Sequence, residues 1–232
     1  MNIILLQIPL KTDSISSLIV EEKTLSVIEL ISSGGVGGNI IMGTLALLSI
    51  YAIYILFERY STIKKASLED ESFLKSIKNF VEQKDIQAAK TLCKNTDNPV
   101  SRMIEKGIDR IDKPMTDISA AIENQGKLEV YKMENNLANL ATVAGAAPMI
   151  GFLGTVIGMI VAFHEMASAG GNIDVEMLSK GIYTAMVTTV GGLIVGIIAY
   201  IAYNFLVSKV DKVIFQLEAR TTEFLDLLHH NE

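Results

Sequence analysis

Residues 137–163 read LANLATVAGAAPMIGFLGTVIGMIVAF, 27 positions without one Asp, Glu, Lys, Arg or His. As an α-helix this stretch would be roughly 40 Å long, more than the ~30 Å hydrocarbon core of a bilayer, so it reads as a membrane helix that tilts or protrudes. Downstream, residues 181–207 (GIYTAMVTTVGGLIVGIIAYIAYNFLV) are free of charge over the same length. Upstream, residues 39–57 (NIIMGTLALLSIYAIYILF) are apolar until they stop at Glu58-Arg59. Three spans of the length a bilayer helix needs follow from these runs. The expected fold is an all-α integral membrane protein with three transmembrane helices, the second and third extending into a cytoplasmic helical domain.

Composition agrees with that class. Half of the chain is hydrophobic and its apolar residues are gathered in blocks rather than spread at amphipathic spacing. The formal net charge of −6, with no basic run interleaved with aromatics, argues against a nucleic-acid partner. Cys93 is the one cysteine, which excludes an intrachain disulfide and reads as a small hydrophobe on a helix face. No nucleophile with a base, paired carboxylate, phosphate loop or metal spacing is present, so neither an enzyme nor a cofactor or metal site is expected. His164 ends the second span, and His229 and His230 sit at the chain end, where a metal role has little support.

Charge outside the spans sets the expected orientation. Residues 58–136 carry 14 of the 20 Lys and Arg residues, and three more follow Val207. The flanks count most: Arg59, Lys64 and Lys65 after span one, Lys209 and Lys212 after span three. Both clusters belong in the cytoplasm. The expected layout is a periplasmic or interfacial segment 1–38, span one at 39–57, a cytoplasmic helical insert 58–136 and span two at 137–163. A periplasmic loop 164–180, span three at 181–207 and a cytoplasmic C-terminal helix 208–232 complete it. The first residues, MNIILLQIPLK, lack a positive n-region and are read as mature. Within 1–38 a mixed apolar and Glu-bearing stretch reads either as an amphipathic helix on the outer membrane face or as a loose arm.

The insert reads as helical, with starts after Asn98-Pro99 and at Pro114. No strong stop occurs from Met115 to Pro148, which predicts one helix running from the cytoplasm into span two. In the tail, Val210, Ile214, Leu217, Thr221, Phe224 and Leu228 form a narrow seam that needs a partner helix, from this chain or from a neighbour.

Inside the membrane three features stand out. Gly151, Gly154 and Gly158 in span two, and Gly192 and Gly196 in span three, have the small-residue spacing that lets helix backbones approach closely. Pro148 removes an amide donor within span two and should kink or hydrate it. Thr142, Thr155, Thr184, Thr188 and Thr189 bring hydroxyls to depth. Any one of them could bond a carbonyl one turn back on its own helix; several beside small residues favour a polar seam or water-lined pore. All three spans lack a carboxylate, so in an ion-driven machine the titrating group must come from a partner subunit.

APMIGFLGTVIGM (147–159), followed after a short loop by residues 181–207, closely resembles the ExbB/TolQ/MotA family of proton-channel subunits, its ExbB branch most of all. The likeness is specific over 137–228. For span one and the insert it rests on arrangement, three spans as in ExbB and TolQ, whereas MotA resembles a four-span layout. The resemblance implies a homopentamer in the bacterial inner membrane that encloses transmembrane helices of ExbD-like partners. Proton passage through the partner's membrane aspartate would drive rotation and energise a TonB-like protein that opens outer-membrane transporters. The family's two threonines fall on Thr155 and Thr189, expected to face the pore, and its span-two proline falls on Pro148. Thr184 stands where many ExbB proteins have a glutamate, so that glutamate's role does not carry over. A TolQ-like envelope subunit, a stator of another surface machine and a passive membrane scaffold are the alternatives.

Overall fold

The computed structural model describes residues 35–67, 71–168 and 175–229. There the chain is helical throughout: α1 Gly35–Ala66, α2 Glu71–Glu82, α3 Ile86–Asn95, α4 Pro99–Ile108, α5 Met115–Glu134, α6 Leu137–Ser168 and α7 Val175–His229. Most of the N-terminal segment, loop residues 169–174 and His230 lie outside the described residues, and with them the amphipathic helix weighed for 1–38. Helices α1, α6 and α7 are each long and apolar enough to cross a membrane. At 55 residues α7 is about 80 Å long, more than twice a hydrocarbon core, so its C-terminal half must stand outside the bilayer.

The three long helices form one bundle. Helix α6 runs antiparallel to α7, with Gly158 beside Ala185 at one end and Pro148 beside Gly196 further along. Helix α1 runs parallel to α7, with Gly38 beside Thr184 and the Tyr60 ring 6.1 Å from that of Phe205. Lys209 Nζ sits 5.4 Å from the Phe205 centroid, so the basic flanks of spans one and three end at the same level. Three-helix packing still leaves much apolar surface uncovered: 22% of the apolar window is buried in α1 and in α6, and 33% in α7.

Below the bundle, α2, α4 and α5 pack on the extension of α7, and α3 packs on α2 and α4. Local chemistry sets their starts. Asp85 accepts the Ala88 amide at the head of α3. At α4 Asn98 and Ser101 form a reciprocal capping box with Pro99 in the first turn, where its missing amide costs nothing. The tail seam finds its partner in the same chain: Val210, Leu217, Phe224 and Leu228 are buried in one core with Phe73, Ile77, Met103, Ile104, Ile118 and Ile122, while Ile214 and Thr221 are half-buried and Val213, outside the expected seam, joins the core. Cys93 lies in this core, and burial pushes its thiol up to about 12, which leaves it unreactive as expected of a small hydrophobe.

One expectation is corrected. The helix from Met115 does not run on into span two; it stops at Glu134 and α6 begins at Leu137. Asn136 takes φ 65°, the left-handed region that asparagine tolerates better than most residues, and this turns the chain. Arg59, buried at the end of span one, donates from Nη1 to the Lys132 carbonyl at 2.9 Å, supplying a donor to the last turn of α5. Lys132 Nζ in turn meets Glu129, which is 2% exposed and also held by Arg102 and Gln125. Burial pushes the Glu129 carboxyl up, but the Arg102 and Lys132 hydrogen bonds together outweigh it and hold it below the ordinary carboxylate range. This polar chain joins α1, α4 and α5 at the membrane boundary.

Thermal unfolding in detergent or nanodiscs reads the consequences of this packing. Gly192→Ala would place a methyl 2.5 Å from the Ala147 carbonyl oxygen and 2.8 Å from Gly151 Cα, backbone atoms that cannot yield alone; the expected loss is about 1–3 kcal/mol. Gly43→Ala, which meets nothing within 4 Å, should instead gain up to about 1 kcal/mol from helix propensity. Asn136→Gly is expected to be near neutral, and Asn136→Val to cost about 1–2 kcal/mol at the left-handed turn. Arg102→Ala should cost about 2–3 kcal/mol, short of a wholly unpaired buried charge because Lys132 and Gln125 remain. Because the folded carboxyl of Glu129 titrates below its unfolded value, its contribution is full above the unfolded pKa and is lost as pH falls through the folded one. The Arg102→Ala deficit should therefore shrink in acid.

Candidate functional site

Glycines bring α6 and α7 together without side chains between them. A Cβ on Gly151 would lie 2.8 Å from the Thr188 carbonyl oxygen, and one on Gly154 would lie 2.7 Å from Thr188 Cβ. Gly158 faces Ala185, Gly192 faces Gly151, and Gly196 lies against the Pro148 ring. The Ala144 carbonyl, which Pro148 leaves without its amide partner, is 3.1 Å from the Gly196 Cβ position.

Three of the threonines converge on this contact. Thr155 on α6 donates to the Ala185 carbonyl of α7 at 3.0 Å, and Thr189 on α7 donates to the Gly151 carbonyl of α6 at 3.2 Å. The Thr155 and Thr189 hydroxyls are also within hydrogen-bond reach of each other, so one donates to the other in place of its carbonyl. The arrangement is reciprocal. Gly151 lies four residues before Thr155 and Ala185 four before Thr189, so each hydroxyl takes the carbonyl that the other threonine would have used on its own helix. Thr188, 2% exposed, reaches both acceptors, Ala185 at 2.7 Å and Gly151 at 3.3 Å.

The remaining threonines lie apart from this cluster. Thr142 is exposed and donates to Ala138 one turn back, the bland arrangement. Thr184 is half-buried, its methyl 3.4 Å from where a Gly38 Cβ would stand. His164 is exposed at the far end of α6. Among the described residues no group of three or more His, Cys, Asp or Glu could hold a metal ion. A further polar contact, Asn139 donating to the Tyr51 hydroxyl at 3.2 Å, joins α6 to α1.

Chemically, the cluster can accept and donate hydrogen bonds along a line but cannot store a proton. Hydroxyls and amide carbonyls do not ionise at neutral pH. Its acceptors, the Gly151 and Ala185 carbonyls, are backbone atoms that no residue pattern names. The small residues opposite the threonines are their only trace in the sequence.

The chain matches the model of the MotA/TolQ/ExbB proton channel family over residues 95–219, more than half its length. It is 35% identical over 111 residues to the biopolymer transport protein ExbB of Aquifex aeolicus, covering 47% of this chain and 74% of that one. With an ExbB homologue from Methanothermobacter thermautotrophicus it shares 28% identity over 194 residues, 83% of this chain and 67% of the other. The Tol-Pal system protein TolQ of Pseudomonas aeruginosa is 24% identical over 215 residues, 88% of this chain and 93% of TolQ. The matched region holds α6, most of α7 and the threonine cluster between them, and the chain belongs to the MotA/TolQ/ExbB family of membrane proton channels, whose members are not enzymes.

Proposed function

We propose that this chain is the proton-channel subunit of an ExbB–ExbD–TonB-like motor in the bacterial inner membrane, coupling proton-motive force to energised outer-membrane transport. The observation that carries the reading is the reciprocal threonine contact across α6 and α7. It supplies a neutral, hydrogen-bonding wall in spans that hold no acid or base of their own. The titrating carboxylate then comes from an ExbD-like partner whose transmembrane aspartate enters a pore lined by Thr155 and Thr189, with Thr184 and Thr188 alongside. Thr184 in place of an acid accords with a path whose charge is supplied by the partner.

Uncovered apolar surface supports assembly. Because only 22% of the most apolar stretch of α1 and of α6, and 33% of that of α7, is buried within one chain, a homopentamer around the partner helices would cover one face and lipid the other. In this reading the N-terminal segment 1–38 lies in the periplasm or at its membrane interface and loop 164–180 in the periplasm, with the insert 58–136 and tail 208–232 in the cytoplasm. Co-termination of the basic flanks at Tyr60, Phe205 and Lys209 supports that orientation. A TolQ-like role in the cell envelope is the second reading, favoured by the likeness that extends over nearly all of TolQ.

The test is acidification of liposomes that hold the chain with its ExbD-like partner. Thr189→Val keeps shape and removes the hydroxyl, and proton flux is expected to fall by about tenfold or more, the equivalent of a hydrogen bond lost at the barrier. Undiminished flux would contradict the assigned pathway and favour the passive scaffold.

A further inference from the structure

Three hydroxyl protons and three acceptors meet between α6 and α7. The acceptors are the Gly151 carbonyl, the Ala185 carbonyl and whichever of the Thr155 and Thr189 oxygens receives the bond between them. Each threonine has one proton to give. If Thr155 donates to Thr189, then Thr189 donates to Gly151, and Ala185 is left to Thr188 at 2.7 Å. If Thr189 donates to Thr155, then Thr155 donates to Ala185, and Gly151 is left to Thr188 at 3.3 Å. Both polarities are complete, and they differ only in which way three O–H bonds point.

We infer that Thr188 is a positioning residue for proton transfer, a third hydroxyl that exchanges carbonyls so that the Thr155–Thr189 pair can reverse its polarity at little cost. The inference rests on the proton-path reading of Thr155 and Thr189. A proton arriving on the Thr155 oxygen forms an O–H bond there as the original proton passes to Thr189, and the Thr189 proton gives up its hydrogen bond to the Gly151 carbonyl and leaves to a water or a partner carboxylate. Each oxygen gains one O–H bond and loses one, so no charge remains, but the pair now points the other way. Before a second proton can follow, both hydroxyls must turn back. Each carbonyl keeps its own helix's amide, but in a low-dielectric interface the hydroxyl bond on its second lone pair is strong, and a turn that forfeits it is costly. Thr188, enclosed at 2% exposure between the two carbonyls, covers the one that each turn releases.

The test compares Thr188→Val, Thr188→Ala and Thr188→Ser in the reconstituted complex with its ExbD-like partner, reading proton flux beside assembly and thermal unfolding. Thr188→Ala is included because the valine methyl would replace an oxygen lodged against Gly154. Expected are flux losses of about five- to tenfold in Val and Ala, one hydrogen bond's worth, with assembly intact and with Ser conducting as the parent does. Parental flux in an assembled Val or Ala variant, or a Ser variant as slow as they are, overturns the role. Failure of both Val and Ala to assemble overturns it too, making Thr188 a packing residue. Thr189→Val run alongside separates the two levels: parental flux there removes the pathway itself, whereas a loss there with none at Thr188 removes only the exchange.

Discussion

The fold depends on the closeness of two backbones in a medium without water. Hydrocarbon offers no partner to a buried hydroxyl, so Thr155, Thr188 and Thr189 must find acceptors within the bundle. They reach carbonyls of the opposite helix because Gly151, Gly154 and Gly192 hold nothing in between. Any side chain at Gly192 would meet the Ala147 carbonyl oxygen, and the hydrogen bonds would open with the helices. Glycine and threonine are therefore one device in this interface: the first sets the distance and the second uses it.

The same constraint shapes the rest of the chain. Helix α7 carries the contact at its membrane end and the core outside the membrane at the other, so α2 to α5 are built around the element that holds the threonines. The Asn135–Asn136 break separates α5 from α6, and Arg59 donates to the last turn of α5 while Glu129 is held by Arg102 and Lys132. The position of α6 against α7 is thus set at both ends, by glycine packing in the membrane and by a polar clamp at its boundary.

Much of this was legible in the residues. Three charge-free runs name three membrane helices because charge at depth is expensive, and the tail seam named its need for a partner. The partner proved to be the chain's own insert, which a seam alone cannot say, since a neighbouring copy would offer the same apolar face. The stop after Glu134 is signalled only by Asn135-Asn136, a weak cue beside a helical pattern on either side. Threonine chemistry was half legible. Thr184 and Thr188, four residues apart, share a face of an isolated helix, whereas the contact joins Thr188 and Thr189 to Thr155. Which hydroxyls meet is decided by where α6 lies, and the acceptors are backbone carbonyls that have no letter in the sequence.

The central claim is that Thr155 and Thr189 act as one hydrogen-bonded unit across two helices. A double-mutant cycle on proton flux, with Thr155→Val, Thr189→Val and both together in the reconstituted complex, tests it most directly. If the unit is shared, the double variant loses no more than the worse single one, because either change already breaks the pair. Losses that multiply would mean two independent sites, and the reciprocal contact would then have no part in carrying the proton.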